Sequence, residues 1–290
     1  VTSESGVYQL IEGLLAALGA STVWSLNPAI ISRFSRDIKP IVFAGLKALV
    51  ASIPLLVFLR NIHVDPDIGL LVAITSALLG PGLGDALYAQ AIRILGGSLA
   101  VVVSYTYIFA ASALSALFLG EKWGVTVIMG SILAFTGVIV GVGLTDRKTT
   151  LKLRGIIFAL GAAMSWGVGT TLIRVALNYY DFTGLTAMRF LTVGVIFTII
   201  GLKVERGLSV NSRRNLILAS TLSGVLGLMV GGLLFTYAIW SVGVTATVIT
   251  TSLTPVLSQW TTRLIARENI KANTVIGAVL VALGILVLYL

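Results

Sequence analysis

The chain carries the same pattern twice. Gly13, Leu18, Gly19, Ala20 and Trp24 recur as Gly155, Leu160, Gly161, Ala162 and Trp166, a shift of 142 residues. Further on, Gly80, Gly84, Gly96, Glu121, Gly130 and Gly137 recur as Gly227, Gly231, Gly243, Glu268, Gly277 and Gly284, a shift of 147 residues. The shift changes once, by five residues, so one hydrophilic connection is longer in the second copy and the rest stays in register. Whatever the first half folds into, the second half must fold into as well. In an apolar chain such duplication is typical of membrane folds built from two halves.

The chain is apolar. Of 290 residues 57% are hydrophobic and only 11% charged, against about 25% charged in a soluble domain. Mean hydropathy is +1.03. The expected solvent is lipid, and the bilayer is the first expected partner. There is no cysteine, so disulfides and thiol chemistry are excluded. The single histidine, His63, sits among Asn61, Asp65 and Asp67 in a stretch that reads as a hydrophilic loop. No metal site and no cofactor is expected. A net charge of +9 would suggest nucleic acid in a soluble protein, but here membrane topology explains it and no nucleic-acid partner is expected.

A helix crossing the roughly 30 Å hydrocarbon core needs about 20 apolar residues. Ten segments qualify: 9–32, 40–59, 68–92, 98–119, 124–144, 155–173, 183–202, 215–240, 244–262 and 272–290. The apolar runs are too long and continuous for barrel strands, and the first does not read as a cleaved signal peptide. The expected fold class is an all-α membrane protein of ten transmembrane helices in a 5+5 inverted-topology repeat. Residues 1–145 form the first repeat and 146–290 the second. Five is odd, so the second copy enters the membrane upside down.

Loop charge tests the count. Connections after spans 1, 3, 5, 7 and 9 carry 15 of the 20 Lys and Arg residues, and the opposite side carries only Arg60, Lys122 and Arg174. The remaining two, Lys47 and Arg189, lie within spans. By the positive-inside rule the basic side is cytoplasmic. Both termini are then expected outside a multi-pass protein of the cell (inner) membrane.

The run Leu119-Gly120-Glu121-Lys122-Trp123 with Gly130 and Gly137 resembles the end of each repeat in the drug/metabolite transporter superfamily, EamA type. Arg267-Glu268-Asn269 with Gly277 and Gly284 is its second copy. Ala20 to Pro28 with Trp24, and Ala162 to Thr170 with Trp166-Gly167, resemble the first helix of each repeat, and Thr254-Pro255 the proline of the fourth. The resemblance covers nearly the whole chain and rests on the ordered set. Departures are Ile108 against Pro255, Asn27-Pro28 against Gly169-Thr170, and Arg267 against Gly120. They bear on local helix breaks. The resemblance implies a solute carrier with spans 1–4 and 6–9 around a central cavity, and spans 5 and 10 at the periphery.

Ionisable groups within spans are costly and usually face a cavity or a partner. Lys47 and Arg189 are repeat-mates, and Asp85 is the acid deepest in a span. At about 1.5 Å per residue Lys47 and Asp85 reach similar depth, so an ion pair between them is one expectation. The mate of Asp85 is Gly232, which leaves Glu12 as the candidate partner for Arg189. Alternatively a base binds a substrate carboxylate or phosphate, or Asp85 couples transport to a proton. Pro28 breaks the first span, so Asn27 and freed carbonyls beside it can face a solute. Trp24 and Trp166 are candidate pocket walls. Tyr88 and Tyr105, Tyr237 at the repeat position of Gln90, and Thr254 complete the candidate substrate-binding set with Asn27, Lys47, Asp85 and Arg189. Gly80-x-x-x-Gly84 and Gly227-x-x-x-Gly231 read as packing surfaces.

No catalytic residue is expected. Gly82-Leu83-Gly84-Asp85 and Tyr180-Asp181 resemble the motifs of intramembrane aspartyl proteases, but in reversed order and at different expected depths, whereas that chemistry needs two carboxylates in one site. No phosphate-binding loop for ATP is present. The sequence therefore predicts a secondary carrier, monomeric or weakly dimeric. It would move a small organic solute, an amino acid or related metabolite, by export, with multidrug efflux as the second reading.

Overall fold

A computed structural model describes residues 4–61, 67–121, 125–142, 149–205 and 209–287. His63, Lys122, Trp123 and the boundary at 145/146 lie outside the described residues. Among the described residues all regular structure is helical and none is strand. In the first half the helices are α1 (Glu4–Trp24), α2 (Asn27–Arg33), α3 (Pro40–Leu55), α4 (Ile68–Ala77), α5 (Asp85–Leu95), α6 (Gly97–Ser104), α7 (Tyr107–Leu119) and α8 (Val125–Val142). In the second they are α9 (Thr149–Ala176), α10 (Phe182–Val204), α11 (Val210–Leu222), α12 (Leu233–Val242), α13 (Val244–Thr250), α14 (Thr254–Thr261) and α15 (Ala272–Leu286).

Several helices run on through a break into one rod. Among the described residues seven segments are long and apolar enough to cross a membrane: Val7–Arg33, Pro40–Arg60, Ile68–Leu95, Gly97–Leu119, Leu153–Ala176, Phe182–Val204 and Val210–Val242. Ala272–Gly284 is apolar but shorter. The outer surface is apolar: Leu117, Phe118 and Leu264 are 72%, 75% and 76% exposed. Water would not tolerate that density of bare side chains; lipid tails do.

The breaks repeat, though their residues do not. Leu78–Gly84 and Ser223–Gly232 are π-helical at equivalent positions. Pro81 removes an amide in the first; the second has no proline but four glycines, Gly224, Gly227, Gly231 and Gly232. Likewise α6 gives way to α7 at Tyr105-Thr106, and α13 to α14 through a 3-10 turn at Thr251–Leu253. Pro255 starts α14. Ile108 stands in its place in α7, and the break persists without the proline. The departure at Asn27-Pro28 does change structure: α1 stops at Trp24 and α2 restarts at Asn27, whereas α9 runs unbroken past Gly169-Thr170.

The halves interlock. α3 packs along α10 and α8 along α15. α1 packs on α12 and α13, and reciprocally α9 packs on their mates α5 and α6. Glycine permits the closest crossings. A Cβ on Gly194 would come within 2.8 Å of the Leu49 amide, one on Gly201 within 2.6 Å of the Val42 amide, and one on Gly137 within 2.7 Å of the Gly277 carbonyl.

Two glutamates tie the halves together at opposite ends. Glu268 accepts from the amides of Gly97 and Ser98 at 2.6 and 3.0 Å, and from Ser32 Oγ, and so caps α6. Its mate Glu121 accepts from the amides of Val244 and Thr245 at 3.2 and 3.1 Å, and from Thr245 Oγ1, and so caps α13. Each is a carboxylate at a helix N-terminus, where unpaired amides and the dipole favour negative charge. Each belongs to the opposite half from the helix it caps. Gly120 and Arg267, just before them, both adopt the left-handed conformation, at φ 70° and 55°. The turn is kept even where arginine replaces glycine.

Candidate functional site

A cavity enclosing about 790 Å³, its mouth included, lies between the halves. Both π segments border it, through Gly80 and Pro81 on one side and Gly227 and Leu228 on the other. Such irregular turns recur at functional sites because they release backbone groups and re-aim side chains. Among the described residues none of α8 or α15 lines the cavity.

The walls carry three ionisable side chains from Asp, Lys and Arg. Lys47 Nζ lies 2.6 Å from Asp85 Oδ2, with side chains 2% and 9% exposed. The other carboxylate oxygen, Oδ1, accepts from Trp166 Nε1 at 2.9 Å. Asp85 is thus engaged on both oxygens, and the expected pair is formed. Arg189 is 5% exposed. Its Nε donates to Ser76 Oγ at 2.7 Å, and Nη2 lies 3.5 Å from the Ser76 carbonyl. The expected partner Glu12 is elsewhere: its Oε2 accepts from Tyr237 OH at 2.9 Å on an exposed face between α1 and α12. Arg189 turns instead towards α4, where Ser76 accepts its hydrogen bonds.

Aromatic rings form the rest of the wall in two reciprocal pairs. Trp166 meets Tyr88 with ring centroids 4.9 Å apart, and its mate Trp24 meets Phe235, the mate of Tyr88, at 4.7 Å. Trp24 Nε1 donates to the Gly227 carbonyl at 2.8 Å. The glycine motifs serve these rings: a Cβ on Gly84 would strike Trp166, and one on Gly231 would strike Trp24. Tyr107 packs edge-on against Trp166 at 5.9 Å and against Tyr105 at 5.5 Å.

Eight of the ten residues singled out from sequence border this cavity: Trp24, Asn27, Lys47, Asp85, Tyr88, Tyr105, Trp166 and Arg189. Two do not. Tyr237 belongs to an aromatic cluster with Phe182 and Trp240, at 5.2 and 5.7 Å, and is held there by Glu12. It directly follows Phe235 and Thr236, which do line the cavity, but on a helix that step turns the side chain away. Thr254 is buried behind the wall, bonded to Ser21 Oγ at 2.9 Å. Sequence reasoning also missed Thr170, Ile173, Phe190 and Phe235. Phe235 was within reach, since the shift of 147 carries Tyr88 onto it. Asp181, in the protease-like string, caps α10 by accepting from the amides of Thr183 and Gly184, each at 3.0 Å. Among the described residues no cluster of three or more His, Cys, Asp or Glu residues could hold a metal ion.

A closed helical bundle with a charged, aromatic cavity between two interlocked halves defines a membrane transporter. The EamA-like transporter family matches residues 11–142 and again 153–290, and the chain belongs to it, within the drug/metabolite transporter superfamily. It is 23% identical over 289 residues to the uncharacterized transporter YoaV of Bacillus subtilis (strain 168), covering 95% of this chain and 96% of that one. It is also 29% identical over 183 residues to an uncharacterized transporter in the sor 3' region of Acidianus ambivalens, covering 63% of this chain and 69% of that one. A solved crystal structure superposes with a TM-score of 0.68 at 16% identity, over 96% of this chain and 98% of the other, a likeness of fold alone. The protein is an integral membrane protein, and the relatives it matches are named as transporters.

Proposed function

We propose that the protein is a secondary carrier of ten spans in a 5+5 inverted repeat, 1–145 and 146–290, working by alternating access. It exports a small organic solute, an amino acid or related metabolite, from the cytoplasm, with the basic loops inside and both termini outside. It acts in the cell membrane as a monomer or weak homodimer, with a proton as the candidate coupling ion. The observation that carries this reading is the unequal setting of repeat-mates. Ile173 and Thr236 border the cavity, though they are only 2% and 1% exposed, whereas their mates Ile31 and Ala89 do not border it. Ser32 bonds Glu268, whereas its mate Arg174 donates to the Trp240 carbonyl, at 3.4 Å. A cavity between two halves that could exchange these settings suits a carrier better than a permanent pore.

In the exchanged state Arg174 moves to Glu121 as Ser32 now meets Glu268. The test is solute counterflow in proteoliposomes, paired with thiol labelling of Thr236→Cys and Ala89→Cys from each side. Saturable counterflow, with each cysteine labelled from a different side, is the expected result. Ohmic current, or both cysteines open to one side at all times, would sink alternating access. The aromatic wall also suits efflux of hydrophobic drugs, the second reading, although a cationic drug would face Lys47 and Arg189.

A further inference from the structure

The cavity holds more positive than negative charge. Lys47 and Asp85 cancel, and both Asp85 oxygens are taken, by Lys47 and Trp166. Arg189 has only neutral Ser76 as a hydrogen-bonding partner among the described residues. Gly80 keeps its flank bare: a Cβ there would press Nη2 at 3.0 Å. A guanidinium in a span is costly until an anion meets it, and its planar fork suits a carboxylate.

We propose that Arg189 is the head-group subsite for a singly charged organic carboxylate. Its apolar or aromatic body lies against Phe190, Trp24 and Phe235, which share the cavity with Arg189. This rests on the carrier reading and, within its solute class, favours a related carboxylate metabolite over a zwitterionic amino acid. A zwitterion would bring an ammonium group to a wall with no unengaged carboxylate, and a bare cation would add to an existing positive charge. The subsite therefore ranks anion above zwitterion above cation.

Three probes of nearly one shape separate these: 3-phenylpropionate, phenylalanine and phenethylamine, titrated calorimetrically into purified protein. The anion is expected to bind at least about tenfold tighter than the amine. Arg189→Gln should remove that preference, and Arg189→Lys should keep part of it. Taking a charge out of a span eases insertion, and size-exclusion profiles and tryptophan fluorescence check folding. A preference undiminished in Arg189→Gln overturns the proposal. So does amine or zwitterion binding as tight as the anion, or no binding of any probe up to about 10 mM. Counterflow keeps the two readings apart. Saturable exchange of phenethylamine alone would overturn the subsite and leave the carrier standing, whereas anion binding without saturable flux would do the reverse.

Discussion

Lys47 and Arg189 hold equivalent places in α3 and α10, yet one meets a carboxylate and the other a hydroxyl. The difference comes from a single departure, Asp85 in one copy against Gly232 in the other. Around these positions the halves agree closely: reciprocal tryptophan pairs, paired π segments and glutamate caps exchanged across the interface. Duplication supplied the scaffold, and point departures supplied the asymmetry that a binding site needs.

The sharpest way to probe the contrast is to strip one partner from the buried pair. Asp85→Ala leaves Lys47 buried without a counter-charge and should cost about 3–5 kcal/mol, read by thermal unfolding in detergent. Arg189→Gln should cost less than half of that, since no ion pair is broken. Lys47→Met with Asp85→Leu should recover most of the loss, because an apolar replacement of a buried pair is often neutral or better. Equal losses for Asp85→Ala and Arg189→Gln would mean that charge pairing does not distinguish the halves.

The glutamate clamps come next. Glu268→Ala and Glu121→Ala each strand two helix amides and a hydroxyl, so each should cost about 1–3 kcal/mol. The two losses should match, while Ser32→Ala should weaken only the Glu268 end. The left-handed turns are a smaller contrast. Arg267→Gly should gain about 1 kcal/mol and Gly120→Ala lose about as much, because only glycine adopts that conformation without strain.

Smallest is the tie at Asp37, in the loop after α2. Hydrogen bonds from Asn215 and Ser212 hold its carboxyl below the ordinary carboxylate value. A depressed folded value stabilises the fold above the unfolded pKa, and the gain fades as pH falls through the folded one. Asn215→Ala should therefore lower stability slightly at neutral pH and leave it unchanged at strongly acid pH.

Much of this was legible along the chain. Hydropathy placed the helical segments, and depth arithmetic brought Lys47 level with Asp85. The repeat paired Trp24 with Trp166. What escaped were contacts whose partners lie far apart in sequence. Glu121 and Glu268 stood out as repeated residues, but their targets are 123 and 171 residues away, in the opposite half. Arg189 was assigned to Glu12 because charge was the only cue, whereas the fold set Ser76 beside it. Polarity along the chain points to Tyr237, the mate of Gln90, whereas the repeat carries Tyr88 onto Phe235, which lines the cavity.

Apolar run length and loop charge are local properties, readable residue by residue. They determined that the chain is helical, membrane-embedded and doubled. Which side chains meet across the cavity, and which base meets a carboxylate, depends on how the two halves dock. Docking is decided by close backbone approach at glycines such as Gly194 and Gly201 and by caps exchanged between halves. Depth along the chain allows Asp85 to meet Lys47, but only the tertiary structure sets Ser76, and not Glu12, beside Arg189. The two are equivalent along the chain and become different when Asp85 is brought to one of them.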